Sequence, residues 1–167
     1  MTKTSLTIMR DYLKVQLAPL PYGNYKILKD IQIDNVFIPA GYVTDMATIP
    51  RILWPIQPPN DASVLVAIVI HDYLCDVAKL HYYLTEDKIE TLHKYELADR
   101  YLERYLRKYK ASTFKRRFLV TGPKFYTSCI RPFTLNKDKI NYKQLSKRLK
   151  LKTIDDVNNY YQTLEDA

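Results

Sequence analysis

The 167-residue chain holds only 3 glycines, and they stand far apart. A loop that cradles a phosphate needs several glycines close together, so a phosphate-loop or dinucleotide-binding protein is excluded. Two cysteines, Cys75 and Cys129, are too few for a disulfide framework, and a reducing compartment is the default. There is no Cys-x-x-Cys pair, no His-Glu-x-x-His motif and no serine in a nucleophile elbow. The longest apolar run, Val64 to Ile70, is far short of the ~20 residues that span a bilayer. No uninterrupted apolar stretch opens the chain, so no signal peptide is expected.

What is present is an ordinary globular composition, with 47% apolar residues, and charge concentrated in one segment. Residues 1–99 carry 9 basic and 12 acidic side chains, residues 100–152 carry 17 and 2, and residues 153–167 carry 4 acidic ones. The net charge of +8 therefore comes from the middle-to-late part of the chain. A segment of that sign attracts an acidic protein surface or a nucleic acid, unless it is only a solvated helix face. The aromatics Tyr101, Tyr105, Tyr109, Phe114 and Phe118 lie among these cations, as stacking on bases would require. Most of them nevertheless fall at core spacing.

Alternating apolar and polar residues predict short strands over Leu6–Met9, Leu13–Leu17, Tyr25–Ile33 and Val36–Val43. Turn clusters separate them at Pro19–Asn24 and Asp34–Asn35, so an antiparallel meander is expected. Asn60 or Asp61 then caps a helix to about Asp76 that is apolar on every face and hence buried. Val77–Leu84 reads as a loop, and a second helix runs from Thr85–Asp87 to about Tyr109. A third begins at Ser112 or Thr113, with Phe114, Phe118, Leu119 and Phe125 as its core side, and Gly122-Pro123 kinks or stops it. Leu145, Leu149 and Leu151 mark a short basic amphipathic piece, and Thr153 starts a last helix to Leu164. The expected fold is α+β: a small N-terminal antiparallel sheet on a buried central helix, with further helices around it.

The most distinctive stretch is Gly41-Tyr-Val-Thr-Asp-Met-Ala-Thr-Ile-Pro-Arg51, followed by Ile52-Leu-Trp54. Thr48 suits a helix N-cap, and Pro50 tolerates a first helical turn on which Ile52, Leu53 and Trp54 dock. Asp45 precedes that turn, where it either caps free N–H groups or contributes chemistry. The apolar helix ends in His71-Asp72, so polar groups emerge from the core at one point. On the next helix Tyr95, Asp99, Leu102 and Leu106 form one stripe, which places the Asp99 carboxylate among apolar side chains. A buried carboxylate needs a partner, and His71, Arg51 or a metal could serve. His93 is instead expected to pair on the surface with Glu90 or Glu96.

This series of motifs resembles a phage and prophage family, the domain of unknown function numbered thirteen fifty-three. The motifs are the first stretch through Trp54, the Pro58-Pro59 pair, the apolar helix closing on His71-Asp72-Tyr73-Leu74, and Ala98-Asp99. The resemblance covers about residues 33–130 and implies a phage-encoded origin, without implying an activity. Its extent divides the chain into a family domain, 1–130, and a basic C-terminal extension, 131–167, expected to be an arm whose removal after Ser128 leaves a folded domain.

Asp45, His71, Asp72 and Asp99 offer oxygen and imidazole donors suited to Zn, Mn or Mg. With an open position, such a metal activates water for hydrolysis, with His71, Asp45 and Asp99 as catalytic groups and Thr48, Pro50 and Arg51 as their structural support. The bland alternative is a buried polar network that fixes the sheet-to-helix junction. The leading expectation is a virion or tail-associated structural or assembly protein that binds other phage proteins through its basic segment, in the virion or the infected host cytoplasm. The alternative is a metal-dependent hydrolase acting on cell wall or nucleic acid. A nucleic-acid-binding accessory protein is the third reading.

Overall fold

The structure, a computed structural model, describes residue 11 and residues 13–21, 24–45 and 62–165. Its centre is helix α1 (Ala62–Thr85), antiparallel to α2 (Lys88–Lys108). Val64 through Ile70 are all buried, as expected for a helix that is apolar on every side. The segment 77–84, expected as a loop, continues the helix instead. It contains no glycine or proline, and Val77, Ala78 and Leu80 are fully buried, so packing extends the helix by two turns. α1 ends at Glu86, whose φ of 57° reverses the chain, and the Asp87 carboxylate caps α2 by accepting from the Glu90 N–H. The antiparallel pairing shows in side-chain contacts between the helices, from His81 with Thr91 to His71 with Asp99.

The N-terminal part is the expected antiparallel β structure, divided into two small sheets. β1 (Leu17–Pro19), β2 (Tyr25–Ile27) and β5 (Val43–Thr44) form one, in the order β1-β2-β5. β3 (Ile31–Ile33) and β4 (Val36–Ile38) form a hairpin whose isoleucines and valine face the core while Gln32 and Phe37 face out. Asp34 turns it with a left-handed φ of 52°, a conformation aspartate tolerates. The first strand starts later than expected, because Leu13 and Lys14 are helical. There the buried Asp11 carboxylate accepts a hydrogen bond from the Tyr109 hydroxyl, a contact 98 residues distant that alternation in the sequence does not encode. The strand expected at Leu6–Met9 lies outside the described residues.

Helix α3 (Thr113–Phe125) starts on its Ser112 cap, but Pro123 does not stop it. The chain stays helical through a π turn at Tyr126–Ile130 and the short α4 (Arg131–Thr134). The expected apolar face is corrected: Leu119 and Val120 are buried, whereas Phe114, Phe118 and Phe125 are 65%, 41% and 59% exposed. α5 (Tyr142–Leu149) and α6 (Ile154–Glu165) follow. Thr153 and Asp156 cap α6 reciprocally, the threonine hydroxyl accepting from the Asp156 N–H and the carboxylate from the Thr153 N–H.

Residues beyond 130 pack into the core rather than standing off as an arm. Leu145, Leu149, Val157, Tyr160, Tyr161 and Leu164 are buried in the same cluster as α1 and the strands. Tyrosine hydroxyls tie these layers together: Tyr101 donates to the Leu164 carbonyl, Tyr160 to Phe37 and Tyr105 to Ile33. Each ring buries a large apolar area and satisfies a carbonyl at its tip. Leu149→Ala is therefore expected to cost about 2–5 kcal/mol in chemical denaturation. A chain cut after Ser128 is expected to lose its cooperative thermal transition, and a retained wild-type melting temperature would contradict this packing.

Candidate functional site

A helix packed into the core must find partners for the polar groups it buries. Besides Tyr73, whose hydroxyl donates to the Leu149 carbonyl, four positions of α1 do so. Asp72 accepts a hydrogen bond from the buried Thr44 hydroxyl of β5, Oγ1 to Oδ2 2.5 Å. Asp76 accepts from the Tyr42 hydroxyl at 3.2 Å and from the Arg148 guanidinium of α5 at 2.6 Å. Burial, with the carboxylates of Asp76 and Asp72 nearby, pushes the Tyr42 phenol well above its usual pKa of 10.0, so it stays a neutral donor. His81 Nδ1 lies 2.9 Å from the Thr91 hydroxyl, and burial lowers its pKa.

The fourth is His71. Its Nε2 is 2.9 Å from Asp99 Oδ1, and its Nδ1 is 3.8 Å from Asp72 Oδ1. The Asp99 carboxylate is only an acceptor, so Nε2 carries the proton and donates. The Cys75 sulfur, one turn along α1, is 3.5 Å from the same nitrogen. Burial works against the charged imidazole, but Cys75 and the hydrogen-bonding carboxylates of Asp72 and Asp99 outweigh it. They hold the His71 pKa well above its ordinary value of 6.5. The side chains of His71 and Asp72 retain 15% and 13% exposure, against 4% for Asp99. Asp99 is thus the most enclosed of the three, and His71 and Asp72 keep a small exposed area.

His71 and Asp72 both line a groove of about 870 Å³ between α1, α2 and α3. Ile68, Leu102 and Leu119 line it together with Phe114, Phe118 and Pro123, and Arg117 and Arg131 stand at it as cations.

The sequence expectation that Asp99 needs a buried partner is met by His71. Asp72 joins the pair from the other ring nitrogen. Asp45 is exposed one residue past Thr44. Thr48, Pro50 and Arg51 lie outside the described residues, as does the expected docking of Ile52, Leu53 and Trp54. Among the described residues, no three His, Cys, Asp or Glu side chains are grouped to hold a metal ion. Glu90 meets Lys94 at 2.8 Å, and His93, expected to pair with Glu90 or Glu96, is exposed. Sequence reasoning missed Thr44, Asp76 and Arg148. The spacing Asp72–Asp76 on a buried helix was the signal for Asp76, whereas Arg148 lies 72 residues away and leaves none.

Fold and site together define the class: an α+β domain with a histidine–carboxylate pair beside an apolar groove. Residues 23–122 match the family described as Protein of unknown function (DUF1353), and the chain belongs to that family. The match begins ten residues before the stretch expected from the motifs and ends eight before its limit. No curated protein and no solved structure matches the chain. No helix among the described residues is long and apolar enough to cross a membrane.

Asp99→Ala strands a buried imidazolium and is expected to cost about 3–5 kcal/mol in urea denaturation. The pH dependence has a definite sign. Because folding raises the His71 pKa, its stabilisation is complete below about pH 6.5 and is lost as pH rises through the folded value. Melting temperatures of wild type and His71→Gln should therefore differ most at acidic pH and converge on the alkaline side. A gap that widens with rising pH would refute the charged pair.

Proposed function

We propose that this chain is a hydrolase in which His71 activates water. One observation carries the reading: His71 is held by Asp99 through Nε2, its Nδ1 lies 3.8 Å from Asp72, and His71 and Asp72 both line the groove. In the neutral ring with Nε2 protonated, Nδ1 has a lone pair and takes a proton from water. The hydroxide so formed attacks a carbonyl carbon, and the imidazolium then returns the proton to the departing alkoxide. Water and ester become acid and alcohol, and His71 ends as it began. Asp99 acts as a positioning residue that fixes ring and tautomer.

Asp72, which lines the groove beside His71, is the carboxylate by which a divalent Zn, Mn or Mg ion would be held. Bound there, the ion would polarise the carbonyl. The burial of Asp99 against His71 favours an orienting role for it over direct ligation.

Purified protein is expected to hydrolyse chromogenic esters, with His71→Gln slower by about 10²–10⁴-fold. Asp99→Asn should lower kcat more than it raises KM. Activity should climb with pH as the raised-pKa imidazole loses its proton, and chelator should reduce the rate if Asp72 holds an ion. Equal rates for wild type and His71→Gln would end this reading.

A second reading, a virion or tail-associated assembly role among phage proteins, is supported by the basic surface. Arg107, Lys108, Lys124, Lys137 and Arg148 reach carboxylates of the chain, while Lys110, Lys139, Lys143, Lys147, Lys150 and Lys152 stand exposed. With so little acid in this segment, a face is left for an acidic protein partner or nucleic acid. Association through it should weaken steeply between low and physiological salt in a binding titration. Salt-independent binding would count against it.

A further inference from the structure

We propose that the groove above His71 binds the aliphatic chain of an anionic amphiphile, and that acyl esters of this kind are the substrate class. The inference builds on the hydrolytic reading for turnover, while the binding half stands on the groove itself.

Phe114 and Phe118 are 65% and 41% exposed, an unusual fate for large rings on a helix whose buried face is Leu119 and Val120. Both rings turn to the same groove, opposite Ile68 and Leu102. A concave wall built of phenylalanine, leucine, isoleucine and proline gains free energy by covering apolar surface. It offers almost nothing to the hydroxyls of a glycan, which would lose water without finding partners. The aliphatic share of the wall also distinguishes it from a flat stacking platform for bases.

The polar groups are two cations, the His71–Asp72 end, and the hydroxyls of Thr121 and Tyr126, which meet the Arg117 carbonyl and the Thr134 hydroxyl. Arg117 is exposed on the same helix face as the two rings. The Arg131 guanidinium lies over the Tyr95 ring at 3.5 Å and near the Tyr126 ring at 4.9 Å, and its Nε is buried without a hydrogen-bond partner among the described residues. Two arginines beside an apolar groove complement a carboxylate, phosphate or sulfate head on an apolar chain. With the chain in the groove and the head on the arginines, the ester linkage lies in the same groove that His71 lines. The volume of about 870 Å³ is in the range of small-molecule sites.

The test titrates the full chain with the fluorescent fatty acid dansyl-undecanoate, and with the corresponding uncharged amide. Wild type should bind the acid and bind the amide more weakly. Phe118→Asp should weaken the acid at least about tenfold, since it replaces apolar wall by a carboxylate. Arg117→Glu should weaken the acid several-fold and leave the amide nearly unchanged. Both positions are exposed, so melting temperatures near wild type verify folding, and Phe114→Asp serves if Phe118→Asp does not fold. Phosphatidylglycerol vesicles identify the source. Cosedimentation that Phe118→Asp abolishes draws the chain from a bilayer, and probe binding without cosedimentation draws it from a free amphiphile; both support the groove. Failure of wild type to bind the acid, equal binding by all variants, or displacement of the probe by a thymidine oligonucleotide overturns the proposal. Binding without ester hydrolysis keeps the amphiphile site and ends the hydrolytic reading. Hydrolysis of short-chain esters alone, with no probe binding, does the reverse.

Discussion

The structure depends on one constraint, the burial of the first half of α1 on every face. Seven consecutive apolar residues, Val64 to Ile70, leave this stretch no solvent side, so the strands, α2, α5 and α6 are all built against the helix. Burial of that kind is favourable and undirected. Direction comes from the polar residues that α1 carries further along. Asp72 demands a donor and receives one from β5, Asp76 receives two from Tyr42 and α5, His81 meets α2, and His71 and Asp99 satisfy each other. An apolar helix of this length could pack in several rotations, but only one places each of these groups on its partner.

The same network holds the candidate chemistry. A carboxylate that would be costly alone in the α2 stripe becomes the group that fixes the His71 tautomer. The far nitrogen lies 3.8 Å from a second carboxylate, that of Asp72, which accepts from Thr44 and lines the groove together with His71. A structural reading and a catalytic one therefore share atoms, and stability and turnover are separable by experiment because they require opposite charge states of His71. Stabilisation favours the imidazolium, whereas water activation requires the neutral ring.

The C-terminal part shows how charge and packing diverge. Its lysines and arginines suggest a detached, solvated segment, yet every few residues a leucine or tyrosine reaches the core. Tyr160 and Tyr161 bury their rings, and Lys94 lies over the Tyr161 ring at 4.2 Å. The family match ends at residue 122, but the hydrophobic core extends to Leu164.

The sequence by itself determined the elements whose signal is local. The all-apolar run marked a buried helix, the alternation at Ile31–Ile38 marked a hairpin, and Asp99 in an apolar stripe announced a buried partner. Each depends on spacing within a few residues, which a linear reading contains. Tertiary structure alone decided the rest. Segment 77–84 became helix because its apolar residues found a core, and Leu13–Lys14 left the strand near Asp11, which Tyr109 holds. The phenylalanines of α3 stayed on the surface because Leu119 and Val120 took the inward positions, so the groove exists only once three helices are assembled. Arg148 reached Asp76 across 72 residues for the same reason: a partner brought near by folding leaves no spacing in the chain to read.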